Sequence, residues 1–245
     1  YQHAEWMVQE AKAAGFNVYA ARKFYNDSNE YVTALTQLQQ LAQWCAQNEM
    51  KTMVWMRGTL TVALNDPAGN GKRYLPETAE APLWSPNSDE LWAHFTNWIV
   101  QYAQLSVGNP AIEGVFLDFE NYSGVAGASS ICYHLSYDDV ITAAFESAYG
   151  VTIPVADGER KAWLIANSLH DQFTAFQLAR WNEGCRQMPA VVDAVNPKFR
   201  FTVYPFMHLY ATNSLFLCDA AAPVNQLSSA QAPIIRADYQ CYIPR

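Results

Sequence analysis

Apolar and polar positions along the chain follow two alternating periods. Residues 4–15 (AEWMVQEAKAAG) space apolar side chains at helical intervals and stop at Gly15, a residue suited to the left-handed position that closes a helix. The same period predicts helices over about 29–48, with Asp27 or Ser28 as cap, and from Ser88 or Asp89 through SDELWAHFTNWIVQYAQL. It recurs near 137–149 and over about 160–194, with a kink expected near Pro189. Between these lie short apolar runs of strand length at 16–25 (FNVYAARKFY), 51–60 (KTMVWMRGTL), 113–122 (EGVFLDFENY), 197–206 (PKFRFTVYPF) and 232–242 (APIIRADYQCY). Polar, Pro- and Gly-bearing stretches fill 61–86, much of 121–160, and 207–231.

Strands alternating with helices predict parallel βα units and the α/β class. The long connections follow strands, which in a (β/α)8 TIM-type barrel is the face that carries the active site. Only five strands are legible, so the barrel reads as incomplete in this chain, with about five or six βα units visible. The first strand and last units are expected in flanking segments, or self-association completes the barrel; residues 1–245 read as one domain. The rival is an open doubly wound sheet. No GxGxxG or GxxxxGK turn follows a strand, which disfavours its nucleotide-binding form.

Two carboxylates, Asp118 and Glu120, stand at the end of the apolar run at 113–122. Alternate side chains of a strand share a face. Val115, Leu117 and Phe119 form one apolar face for helices, and Gly114, Phe116, Asp118 and Glu120 share the other, toward the barrel lumen. The same sorting turns Trp55 and Arg57, then Tyr204, then Arg236 and Asp238 inward, while Val54, Met56, Phe201, Val203, Ile235 and Ala237 face out. Two cations, three carboxylates and two rings thus converge on one rim. A buried ion network is the competing reading. So many costly charges at the catalytic end of a barrel favour a functional one.

Composition narrows the partners. Lys+Arg is 15 against Asp+Glu 23, a net charge of -8, which argues against a nucleic-acid partner. No apolar run reaches membrane-spanning length, and Tyr1 opens no leader-peptide pattern. Aromatic residues make up 14% of the chain, enough to supply flat platforms for sugar rings as well as a core. Cys45, Cys132, Cys185, Cys218 and Cys241 have no metal-ligand spacing, and their pairing is open. His3, His94, His134, His170 and His208 are scattered, and no GxSxG elbow is present. No metal or cofactor is therefore expected. The acidic run at 137–139 (YDD) reads as a helix N-cap rather than a cation site.

EGVFLDFE resembles the DGxDxDxE signature of family 18 glycoside hydrolases, the chitinase-like barrels. Gly114, Asp118 and Glu120 match; Glu113 replaces the first Asp, and Phe116 stands where the signature has a middle Asp. The resemblance implies Glu120 as general acid and Asp118 as its orienting partner. Over roughly 16–240 the chain is also similar to bacterial barrel glycoside hydrolases. Retaining α-glycosidase barrels supply a second assignment, with Asp118 as nucleophile and Asp238 as acid. The reaction expected is cleavage of glycosidic bonds in a carbohydrate. Tyr204, Arg57, Arg236 and Asn121 then hold hydroxyls, and Trp55, Tyr122 or Tyr239 stack on sugar faces. A non-catalytic carbohydrate-binding or assembly protein on a degenerate barrel is the alternative. A polysaccharide substrate implies an extracellular or periplasmic location.

Overall fold

The computed structural model describes residues 3–22, 31–56, 73–75, 84–85, 87–118, 135–204 and 235–236. Among them the chain runs α1 (Glu5–Ala13), β1 (Val18–Arg22), α2 (Tyr31–Gln47), β2 (Lys51–Met56), α3 (Asp89–Gly108), β3 (Ile112–Asp118) and α4 (Asp139–Tyr149). A 3-10 turn (Asp157–Glu159), α5 (Arg160–Ala166), α6 (His170–Asp193), β4 (Arg200–Tyr204) and the short β5 (Ile235–Arg236) follow. All strand pairs are parallel, and the sheet order is β1-β2-β3-β4-β5.

That order separates the two expected folds. A doubly wound sheet reverses its strand order at a switch point. Here each strand lies beside its sequence neighbour, as it does around a TIM barrel. The described residues form an α/β fold whose five parallel strands are part of a TIM-type barrel, with β3 the middle one of the five. Connections into the strands are short, at 14–17, 48–50, 109–111 and 194–199. The connections after β2, β3 and β4, at 57–88, 119–138 and 205–234, are much longer and each follows the C-terminal end of its strand.

One face of the sheet is sealed by helices. Val54, Met56, Val115, Leu117 and Phe201 are each 2% exposed or less. They belong to one core with Leu38 and Leu41 of α2, Trp98, Ile99 and Tyr102 of α3, and Val192 of α6. Burying a side chain of this kind contributes about 1.5–3 kcal/mol, so this face supplies much of the driving force. The expected split between outward and lumen-facing residues holds for every described side chain of β2, β3 and β4.

The ends of the helices follow local chemistry. Gly15 sits at φ 90 and closes α1, its N–H donating to the Lys12 carbonyl while Phe16 N–H donates to that of Ala11. The helix expected over 160–194 is two helices. Ser168 adopts φ 57, Ser168 N–H donates to Ile165 O and Leu169 N–H to Leu164 O, which ends α5 as a Schellman turn. Helix α6 instead runs through Pro189. The break thus lies at 167–169, where backbone geometry closes the first helix, and the helix does not end at the proline. No helix among the described residues is long and apolar enough to cross a membrane.

Candidate functional site

The lumen side of the sheet is read row by row. Parallel pairing sets Trp55 beside Phe116 and Phe116 beside Thr202. Trp55 and Phe116 are half-buried and meet edge to face, with ring centroids 5.9 Å apart and planes at 82°. Thr202 is 6% exposed, and its hydroxyl lies 3.4 Å from the Met53 sulfur. This row is an apolar floor. The next row toward the C-terminal end pairs Asp118 with Tyr204, the last residues of β3 and β4.

One row lower, Gly114 pairs with Arg200. A Cβ on Gly114 would lie 2.0 Å from the Arg200 carbonyl oxygen, so no larger residue fits there without moving the backbone. The β2–β3 register shifts beside it, between Thr52 and Met53, and Glu113 is the extra residue of the bulge. The Glu113 carboxylate approaches Arg200 Nη1 at 3.4 Å, at the opposite end of the strand from Asp118.

Of the expected ring, the backbone register sets Asp118 beside Tyr204 at the ends of β3 and β4, with Trp55 in the row below. Arg236 differs: it pairs with Val203, and Ile235 pairs with Thr202. Sequence parity grouped Arg236 with Tyr204, whereas the register sets it in the row of Leu117 and Val203. Arg57, Glu120, Asn121, Tyr122, Asp238 and Tyr239 lie outside the described residues.

A polar network that the sequence did not reveal supports this end of the sheet. Asp138 is the N-cap of α4 and 3% exposed. One carboxylate oxygen accepts from Val140 N at 2.9 Å and Ile141 N at 3.1 Å. The other accepts from the hydroxyls of Ser85, at 2.6 Å, and Ser136. Gln177 of α6 clasps Ser136, donating to its carbonyl at 2.9 Å and accepting from its N–H at 3.0 Å. Tyr137 N–H donates to Leu75 O at 2.8 Å. The connections after β2 and β3 are thus pinned to each other and to α6. Burial pushes the Asp138 carboxyl above its ordinary range, against the opposing pull of its four donors. The run at 137–139 is a cap, as the sequence implied. The Tyr137 hydroxyl meets His170 Nε2 at 2.8 Å, and burial lowers the proton affinity of that imidazole.

No protein-family model and no curated protein matches the sequence. Solved structures do match in fold. A β-galactosidase from Bacillus circulans sp. alkalophilus aligns with 98% of this chain and 38% of its own, at TM-score 0.57 and 12% identity. The β-galactosidase of the Antarctic haloarchaeon Halorubrum lacusprofundi aligns with 88% of this chain and 36% of its own, at TM-score 0.56 and 13% identity. That of the psychrophilic Marinomonas ef1 aligns with 82% and 35%, at TM-score 0.54 and 11% identity. At such identity the likeness is one of fold, and the chain spans little more than a third of these structures.

Proposed function

We propose that the protein is a glycoside hydrolase that cleaves glycosidic bonds of an oligo- or polysaccharide with a carboxylate pair at the C-terminal end of β3. The observation that carries this reading is the position of Asp118, the last residue of the middle strand, on the face where the long connections leave the sheet. The β-galactosidases that share the fold add general support. The half-buried Trp55–Phe116 floor offers a surface for the apolar face of a sugar ring.

In the first assignment Glu120 protonates the leaving glycosidic oxygen, and Asp118, ionised, steadies the cationic sugar or the attacking group. Carboxylates held close together repel, which raises the proton affinity of one and keeps it an acid near neutral pH; Asp118 and Glu120, two residues apart in sequence, would act as such a pair. In the second assignment Asp118 attacks the anomeric carbon and Asp238 is the acid. A carboxyl separation of about 5 Å belongs to the retaining route and about 6.5–9.5 Å to the inverting one. Tyr204, Arg57 and Asn121 bind hydroxyls, and Tyr122 and Tyr239 stack on neighbouring rings. Action on polysaccharide outside the cell, in the medium or periplasm, fits this chemistry.

The alternative is a carbohydrate-binding barrel without turnover; the observation in its favour is Phe116, an aromatic residue in the middle of the strand where the chitinase-like signature has an acid. A panel of aryl glycosides and polysaccharides separates the two. Turnover lost in both Asp118→Asn and Glu120→Gln supports the hydrolase. Saccharide binding with no turnover in the parent chain supports the binding protein.

A further inference from the structure

We propose that the groove between α3 and α6 is a second saccharide-binding site, on the helical face of the sheet and separate from the rim at the end of β3. The two helices lie side by side in the same direction. Arg180 Nη2 donates to Asn87 O at 3.1 Å beside the start of α3, and Asn196 Nδ2 donates to Ser106 Oγ at 2.7 Å near its end. Between them opens a groove of about 370 Å³, lined by Trp92, Asn97, Arg180, Glu183 and Gln187, with Asp89 at its mouth. That volume is at the lower end of the roughly 300–1,000 Å³ of ligand clefts and has room for one or two sugar rings.

The indole in this groove is held in place. Trp92 rests on Gly184, where a Cβ would come within 2.4 Å of its ring. Trp181 meets it edge to face at 5.1 Å and 76°. A ring fixed in this way loses little entropy when it receives a ligand. Beneath the head of the groove, Asn87 Oδ1 and Arg180 Nε are buried without a hydrogen-bond partner among the described residues, and Asn87 is only 2% exposed. Unmet buried polar atoms are uncommon. Arg180 is held by one carbonyl and by a loose 3.6 Å approach to Asp89, whose side chain is 96% exposed. The Arg180 guanidinium is a donor and the Asn87 amide oxygen an acceptor for a hydroxyl at the head of the groove.

The lining selects the ligand by exclusion. Asp89 repels an anion, and the Glu183 carboxylate is paired with Arg186 and accepts from the Gln187 amide at 2.7 Å. Arg180 repels a cation. The amides of Asn97 and Gln187 have no counterpart on an apolar ligand. A neutral, hydroxyl-rich ring satisfies the amides, the guanidinium and the indole together.

The test uses the Glu120→Gln chain, so that no probe is consumed, with methyl β-galactoside, methyl β-glucoside, cellotriose and glycerol as probes. Calorimetric titration is compared with the same chain carrying Asn97→Ala and Gln187→Ala, both exposed helix positions where alanine favours the helix. The proposal expects saturable binding of at least one saccharide, weakened about ten-fold or more by the double substitution, with an unchanged melting temperature. It is overturned if no saccharide binds, if the double variant binds as tightly as its parent, or if glycerol binds as well as the sugars. Hydrolysis that survives Glu120→Gln removes Glu120 as the acid, leaves Asp118 and Asp238 as the catalytic pair, and does not bear on this groove.

Discussion

Gly114 shows how little space separates β3 from β4. Its missing side chain lets the Arg200 carbonyl approach to where a Cβ would stand at 2.0 Å. Gly114→Ala is expected to cost about 2–3 kcal/mol, read as a lowered urea midpoint at unchanged slope. Asp138 carries a second prediction. Its loss to alanine removes an N-cap and strands two buried hydroxyls, for about 2 kcal/mol or more. The sign of its pH dependence follows from burial. A carboxyl raised on folding favours the protonated folded form. Its penalty is absent below the ordinary value of 3.8, grows as pH rises to the folded value, and is constant beyond. Stability of Asp138→Asn relative to the parent should therefore improve as pH rises from about 4, by chemical denaturation across a pH series. At this scale the strand faces were legible because alternation is intrinsic to a strand. The Ser85–Ser136–Gln177 contacts were not, because unremarkable polar residues far apart in the chain meet only in the fold. The backbone register of Arg236, paired with Val203, is set by its neighbour β4, which the parity of its own strand does not encode.

Helix ends carry the clearest prediction among the elements. Glu49 closes α2 at φ 53, with its N–H donating to Ala46 O and Met50 N–H donating to Cys45 O. That is the position where Gly15 serves α1 without steric cost. The Lys12–Glu49 ion pair lost on substitution spans 3.7 Å at an exposed site and is worth little. Glu49→Gly should stabilise the protein by up to about 1 kcal/mol, seen as a melting temperature higher by a few degrees. Gly15 could be read as a stop from sequence because glycine announces the left-handed turn. Glu49 and Ser168 could not, since neither residue type favours it. The break between α5 and α6 went unread for that reason, and Pro189 lies inside α6.

Across the whole molecule, alternation of strands and helices was enough to read the class, and long connections after strands were enough to orient the sheet. The choice between barrel and doubly wound sheet rested on strand order, which local pattern does not encode. At the β1 side, Trp6 and Phe16 are 55% and 62% exposed, large apolar surface beside the outermost of the described strands. Light scattering should show concentration-dependent association that Trp6→Lys with Phe16→Ser reduces, with the melting temperature held. The central claim is that the carboxylates ending β3 perform glycoside cleavage, with Glu120 as acid. It is tested most directly by kcat/KM of the parent and of Glu120→Gln on aryl glycosides of graded leaving-group acidity. The account predicts a loss of about 10²–10⁴-fold for poor leaving groups that shrinks as the leaving group improves. Unchanged turnover, or a loss independent of the leaving group, would contradict it.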